Sequence, residues 1–169
     1  KDADSIVIEI DIDREIVKKT FHYAEMLMNN GASLHGIYDI LYQMDLNDIR
    51  FKGYVLSHFV TKEFVSYYKM TFEEINQLNV DTDYAASFVN LIADIKGYPI
   101  WCSFAQYEDG NIRVELRSKS IDYDVQQIAK KYGGGGHIQA AGAQVNSFEI
   151  VDKIIDDLIL LAKGEFKNV

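Results

Sequence analysis

The sequence lacks the features that mark disulfide-bonded, zinc-binding and membrane-spanning proteins. It contains one cysteine, Cys102, so an intrachain disulfide is excluded, and no Cys-x-x-Cys or Cys/His cluster predicts a zinc site. No apolar run approaches the roughly 20 residues of a membrane span. The N-terminus carries no signal peptide. We therefore expect a protein of a reducing compartment, the cytoplasm.

Basic residues are also few. Asp and Glu number 26 against 17 Lys and Arg, which gives a formal net charge of −9. Proteins that coat long DNA or RNA usually carry a basic face, because neutralisation of phosphates dominates such binding. We therefore expect any nucleic-acid ligand to be short and held locally, and we expect neither long duplex nucleic acid nor a membrane as a partner.

The hydrophobic pattern predicts an α/β fold, in which a mixed β-sheet is flanked by helices and preceded by further helices. Alternating or clustered apolar residues predict strands at 5–12, 58–69, 100–107, 112–117 and 143–145. Apolar residues at helical spacing predict helices at 16–30, 34–42, 45–55, 71–78, 81–97, 122–132 and 148–162. Thr71 and Glu74 form a capping-box pattern, and Asp109-Gly110 between two apolar runs predicts a hairpin.

Four consecutive glycines followed by a histidine are the most distinctive segment. Glycine reaches backbone angles that are closed to other residues, so the N–H groups of such a run can converge into a nest that binds an anion. The imidazole of the histidine can donate to a phosphate oxygen. A flexible linker is the alternative, but the run follows a predicted helix and precedes small residues suited to close packing. We expect phosphate to be bound by Gly133, Gly134, Gly135, Gly136 and His137.

Arg117-Ser118-Lys119, at the end of the predicted hairpin, is the second candidate. The planar guanidinium of Arg117 suits a phosphate, and Ser118 adds a hydroxyl and its backbone N–H. By itself the Arg-Ser pair is also typical of a solvated strand end. Its position shortly before the helix that leads into the glycines favours a shared phosphate site.

Residues 112–119, 124–125, 128–129 and 132–142, taken in this order, resemble the C-terminal DHH-associated domain of the DHH phosphoesterases. The resemblance is closest to the bacterial nanoRNases, which also act on 3′-phosphoadenosine-5′-phosphate (pAp). It implies that residues 47–169 are the DHH-associated, substrate-binding domain. It also implies that residues 1–46 are a remnant of the N-terminal DHH domain with its connecting helices.

The same resemblance implies the chemistry of the whole protein. Its N-terminal domain is expected to bind two Mn²⁺ ions through Asp and His side chains, while the C-terminal domain holds the rest of the substrate. The family's Arg-Ser motif falls on Arg117 and Ser118, and its glycine-His motif falls on Gly133 to His137. The implied partners are short RNA oligonucleotides or nucleotides. The resemblance leaves open whether the protein forms a homodimer.

The Asp-His-His triplet of that family is absent, since the four histidines stand apart at His22, His35, His58 and His137. We therefore expect no catalytic and no metal-binding residue in this chain, and no activity from it alone. The first residue is Lys1 and not methionine, so we expect a fragment or a processed chain. The whole protein is expected to be a phosphodiesterase and phosphatase.

Two other functions stay open. Phosphodiesterases for cyclic dinucleotides resemble this domain too, but they usually carry Thr-Asn after the histidine, where this chain has Ile138-Gln139. The other alternative is a non-catalytic nucleotide-binding module, for which the missing metal motif is the argument.

Residues outside these motifs have more ordinary interpretations. His22 and His35 are expected on the surface, and Trp101 and Cys102 in the core. Asn90 is equally consistent with contact to a ligand and with exposure to water. Aromatic side chains are the usual platform for an unpaired base, and the candidates among the eleven tyrosines are Tyr67, Tyr68 and Tyr107.

Overall fold

The computed structural model describes residues 14–166, apart from the side chains of residues 14–17 and 34. The chain divides into two compact units, Lys1–Met44 and Asp45–Val169. The described part of the first unit contains α1 (Arg14–Asn29) and α2 (Leu34–Leu41), which confirm the first two predicted helices. The strand predicted at 5–12 lies outside the described residues. The assignment of residues 1–46 to the end of a DHH domain stays a prediction.

The second unit is built on one mixed sheet. Its strands are β1 (Val60–Lys62), β2 (Val65–Met70), β3 (Ile100–Gln106), β4 (Ile112–Ser118), β5 (Gly135–His137) and β6 (Ala140–Val145). They lie in the order β1-β2-β3-β4-β6-β5, with β2 and β3 parallel and the other neighbours antiparallel. The flanking helices are α3 (Leu46–His58), α4 (Phe72–Gln77), α5 (Thr82–Ser87), the 3-10 helix Phe88–Ile92, α6 (Val125–Lys131) and α7 (Phe148–Ala162). The predicted α/β class is confirmed.

Each face of the sheet has its own apolar core. On the first face, helices α6 and α7 pack on buried residues of the strands, which include Ile100, Cys102, Phe104, Ile112, Val114, Leu116, Ala141 and Val145. On the second face, α3, α4, α5 and the 3-10 helix pack on β2 and β3 through Tyr68, Met70, Trp101 and Ala105. The strands β4, β5 and β6 supply none of the buried residues of this second core. The second face is therefore apolar over one half of the sheet only.

Several local signals in the sequence are confirmed. The side chain of Thr71 accepts a hydrogen bond from the N–H of Glu74, and Glu74 accepts one from the N–H of Thr71, which completes the capping box of α4. The predicted hairpin turns at Gly110, whose φ of +86° is a conformation that favours glycine. Asp124 caps α6 by accepting a hydrogen bond from the N–H of Gln126 at 3.0 Å.

Three predicted boundaries are wrong. Residues 58–69 are the end of α3 and two antiparallel strands, joined by a turn in which Glu63 has φ +51° without the Gly or Asn that marks such turns. The helix predicted at 81–97 ends at Ile92 as a 3-10 helix, and Asp94 follows with φ +58°. The strand predicted at 143–145 begins at Ala140 and pairs with the unpredicted β5, because Gly and Ala are depleted in strands and give no sequence signal.

The interpretations of Trp101 and Cys102 as core residues are confirmed, with exposures of 9% and 0%. Nε1 of Trp101 donates to Oδ1 of Asn90 at 3.1 Å, while Asn90 itself is exposed, so both interpretations of Asn90 stay open. Within the part of the chain that the structure describes, no helix is both long and apolar enough to cross a membrane.

Burial raises the pKa of the Cys102 thiol, and the thiolate is the form that reacts with alkylating reagents. We therefore expect iodoacetamide to leave Cys102 unmodified in the folded protein and to modify it fully once urea unfolds the sheet. Mass spectrometry along a urea series measures both states, and the unfolded sample is the control. Rapid modification without urea would contradict the position of Cys102 in the first core.

Candidate functional site

The structure brings Arg117 and His137 into one row across three strands. Arg117 of β4 lies opposite Ala140 of β6, and His137 of β5 lies opposite the same alanine from the other side. Residues directly opposite in antiparallel strands point to the same face, so both side chains project from the second face. Two strand spacings separate their Cα atoms by about 10 Å. We call Arg117, Ala140 and His137 the Arg–His row.

The guanidinium of Arg117 is anchored through one nitrogen. Its Nη1 donates to the backbone oxygens of Leu116 at 2.9 Å and Ala141 at 3.5 Å, and lies 3.1 Å from Oε2 of Glu115. Among residues 14–166, Nε and Nη2 of Arg117 have no hydrogen-bond or ion-pair partner. These two groups form an edge with two N–H donors, which matches two oxygens of one phosphate. The side chain is 25% exposed, so part of it is accessible from solvent.

His137 lies on β5, at the edge of the sheet. The residue is exposed, and its imidazole takes part in no hydrogen bond or ion pair with the other described residues. A neutral imidazole has one N–H donor and a protonated imidazole has two. The Arg–His row therefore offers donors from both ends, and Ala140 between them occupies little space.

Ser118 does not lie in this row, although the sequence predicts a shared phosphate site with Arg117. Consecutive strand residues point to opposite faces, so the side chain of Ser118 points to the first face and is 5% exposed. Its Oγ donates to the backbone oxygen of Ser120 at 3.2 Å, and its N–H donates to the backbone oxygen of Gln139 at 3.0 Å. The hydroxyl of Ser118 thus bonds to the chain that leaves β4 and its N–H to the turn between β5 and β6, so both donors are already used within the protein.

The glycine run does not form the expected nest of four convergent N–H groups. The N–H of Gly133 donates to the backbone oxygen of Lys130 at 3.1 Å, and that of Gly134 donates to Ala129 at 2.8 Å. With Gly133 at φ +79°, these two bonds are the Schellman cap that ends α6. The C-terminal end of a helix carries partial negative charge, which disfavours an anion there. Gly133 and Gly134 are therefore structural residues.

Glycine is required in this run because the segment lies directly on β6. A Cβ on Gly134 would lie 2.1 Å from the Gly142 oxygen, and one on Gly136 would lie 2.6 Å from the Ala140 oxygen. Gly136 also has φ +137°, whereas a Cβ on Gly135 would meet nothing within 4 Å. The close approach allows β5 to pair with β6, and that pairing places His137 beside Ala140. The close approach at Gly136 thus positions His137.

Sequence reasoning missed the charged residues that surround Arg117. Glu115 contacts both neighbouring arginines of its strand, since Oε1 lies 2.8 Å from Nη2 of Arg113 and Oε2 lies 3.1 Å from Nη1 of Arg117. Arg113 also contacts Asp83, through Nη1, at 2.8 Å. The hydrogen bond from Tyr107 and the charge of Arg113 hold the pKa of Asp83 below its usual value. The alternation of Arg, Glu and Arg at two-residue spacing in β4 was the available signal, because such residues share one face.

The tyrosines considered for base stacking do not lie in the Arg–His row. Tyr68 is 2% exposed and donates to the backbone oxygen of Ala85 at 2.7 Å. Tyr67 packs against the first core, next to Phe104. Tyr107 follows the far end of β3 from Arg117 and donates to Asp83 at 2.5 Å. None of the three is positioned beside Arg117.

Within residues 14–166, no three His, Cys, Asp or Glu side chains lie close enough together to hold a metal ion. The described residues therefore do not fit the Mn²⁺ ions that the resemblance implies for the whole protein. The Arg–His row offers donors for an anion and no group of ligands for a cation.

Gly134, where a Cβ would clash, and Gly135, where a Cβ would have room, give a matched pair of variants. We expect Gly134→Ala to lower the free energy of unfolding by about 2 kcal/mol or more, because the new Cβ meets backbone atoms that cannot move aside cheaply. Gly135→Ala is the control and should change it little, since its Cβ has room. Urea denaturation of both variants measures the difference. Equal stability of the two would contradict the close approach of the run to β6.

Comparison with known proteins agrees with the sequence motifs. The bifunctional oligoribonuclease and PAP phosphatase NrnA from Mycoplasma genitalium is 36% identical over 141 residues, covering 83% of this chain and 43% of that protein. The protein of the same name from Bacillus subtilis is 30% identical over 157 residues, covering 86% and 46%. The chain thus spans less than half the length of these curated relatives.

A solved exopolyphosphatase-related protein from Bacteroides fragilis shares the fold. Its TM-score is 0.73 at 24% identity, and the likeness covers 90% of this chain and 44% of that chain. The family model of the DHHA1 domain matches residues 62–164, which include the Arg–His row and all six strands except the first two residues of β1. This chain belongs to the DHHA1 domain family.

Proposed function

We propose that this chain is the substrate-binding part of a Mn²⁺-dependent phosphoesterase that hydrolyses short oligoribonucleotides and pAp. The names of the relatives from Mycoplasma genitalium and Bacillus subtilis support the substrate class. The observation that carries the role of this chain is the free Nε and Nη2 edge of Arg117, placed in one row with the free imidazole of His137.

A phosphate bound on the Arg–His row lies above Ala140. Arg117 donates two parallel hydrogen bonds to two phosphate oxygens from its free edge, and His137 donates to another oxygen from the opposite side. A methyl group at residue 140 leaves room for the phosphate between them. The two donors together fix the orientation of the substrate end and offset its negative charge.

The charges around the row favour a small ligand. Asp83 and Glu115 carry two negative charges against the one positive charge of Arg113, so the group of charges beside Arg117 on β4 is net negative. The formal net charge of −9 repels a long polyanion. Both features support a substrate with few phosphates.

The hydrolytic step is not assigned to the described residues, which do not fit a Mn²⁺ site. We place the groups that carry out hydrolysis elsewhere in the whole protein. Arg117 and His137 contribute by holding the substrate. Two experiments test this separation of substrate binding from hydrolysis.

The first experiment measures binding of pAp to this chain by NMR titration. We expect Arg117→Ala to weaken binding about 10- to 100-fold, because a hydrogen bond to a charged group contributes about 1.5–3 kcal/mol. Lys62→Ala is the control, since it removes the same charge at the opposite edge of the sheet. An equal loss in both variants would point to general electrostatics, and no loss in Arg117→Ala would contradict the proposed site.

The second experiment measures hydrolysis of pAp and of a short oligoribonucleotide in the presence of Mn²⁺. We expect this chain alone to release no phosphate and no mononucleotide. The positive control is a full-length relative such as the Bacillus subtilis protein. Turnover by the isolated chain, lost on chelation of the metal, would show that the chain carries its own hydrolytic groups.

A further inference from the structure

The carboxylate of Glu115 contacts Arg117, the residue that we propose binds the phosphate. Its side chain is 13% exposed, and it precedes Arg117 by two residues on the same face of β4. Its Oε2 lies 3.1 Å from Nη1 of Arg117. A negative charge at this distance opposes the attraction of Arg117 for an anion. Simple electrostatics therefore gives Glu115 an unfavourable effect on phosphate binding.

We propose that Glu115 is a positioning residue, which fixes the guanidinium of Arg117 with its Nε and Nη2 edge toward the phosphate. The inference rests on the proposed function of Arg117. A free Arg side chain samples many rotamers, and holding it in one costs about 2 kcal/mol of conformational entropy. The backbone oxygens of Leu116 and Ala141 and the carboxylate of Glu115 all contact the same nitrogen, Nη1. These contacts engage one end of the guanidinium and leave the Nε and Nη2 edge without a partner among the described residues.

Glu115 is itself held in place. Its Oε1 accepts a hydrogen bond from Nε of Arg113 at 2.9 Å and lies 2.8 Å from Nη2, and Arg113 is held by Asp83 at 2.8 Å. All three guanidinium nitrogens of Arg113 are thereby used, in contrast to those of Arg117. The carboxylate of Glu115 is thus held by Arg113 through Oε1, and it contacts Arg117 through Oε2.

The strand next to Glu115 leaves space for this arrangement. Gly142 of β6 lies opposite Glu115, and a Cβ there would lie 2.9 Å from the Val114 oxygen and 3.8 Å from Oε2 of Glu115. Because residue 142 has no side chain, the carboxylate of Glu115 can lie close to the backbone of β6, between Arg113 and Arg117. The space above Ala140 stays free for the ligand.

The two interpretations of Glu115 predict effects of opposite sign. If Glu115 acts only through its charge, Glu115→Gln strengthens the binding of phosphate, because a nearby negative charge is removed. If Glu115 positions Arg117, the same variant weakens it, because the amide NH₂ cannot accept a hydrogen bond and one arginine loses its contact.

The test is a double-variant cycle with pAp as the probe and affinity measured by NMR titration. We expect Glu115→Gln to weaken binding about tenfold, as for the loss of one hydrogen bond to a charged group. In the Arg117→Ala background the same change should give no further loss. Asp156→Asn is the control, because it removes one negative charge on α7, where Asp156 pairs with Lys62. It should leave the affinity unchanged.

Thermal melting of each variant, with the titrations made well below the melting temperature, separates binding from unfolding. Unchanged or tighter binding by Glu115→Gln, together with a loss in Arg117→Ala, overturns the positioning role and leaves the proposed function intact. An equal loss from Glu115→Gln with and without Arg117 shows a general structural effect and also overturns it. Unchanged binding by Arg117→Ala rejects the proposed function, and the role of Glu115 with it.

Discussion

The geometry of the candidate site depends on the close contact between the glycine segment and strand β6. A Cβ on Gly134 would lie 2.1 Å from the Gly142 oxygen, so any other residue would push the segment away from the sheet. The pairing of β5 with β6 would then be lost, and with it the position of His137 opposite Ala140. The absence of side chains at these glycines therefore sets the distance between His137 and Arg117.

Strand β4 serves both the core and the site. Its alternate residues Ile112, Val114 and Leu116 are buried in the first core, while Arg113, Glu115 and Arg117 point to the other face. The buried strand residues of the second core lie on β2 and β3, and α5 meets the charged residues of β4 through the ion pair of Asp83 with Arg113. A polar surface thus lies beside an apolar core on the same face of one sheet. The buried residues hold the backbone of β4 in place, and the charged residues of the same strand are held with it.

The sequence was sufficient for the family, the fold class and the pair of residues that the structure brings together. The order of motifs from residue 112 to residue 142 predicted the family, and the capping box and the Asp109-Gly110 turn predicted local structure. The hydrogen bonds of the Gly133 and Gly134 N–H groups could not be predicted, because their acceptors on Lys130 and Ala129 depend on where α6 ends. The position of Ser118 on the opposite face from Arg117 could have been predicted, since the alternation of the strand already separates the two side chains.

The Schellman cap of α6 has a further consequence for the way a ligand meets this protein. Because Gly133 and Gly134 are bonded to α6 and the next three residues are paired with β6, the segment that carries His137 is ordered before any ligand arrives. Ordering a flexible backbone costs about 1–2 kcal/mol per residue, and a preorganised segment avoids that loss on association. At the proposed site, discrimination between small phosphates would then depend on complementarity to a fixed outline, and a ligand of the wrong size would be excluded by shape instead of being accommodated by movement.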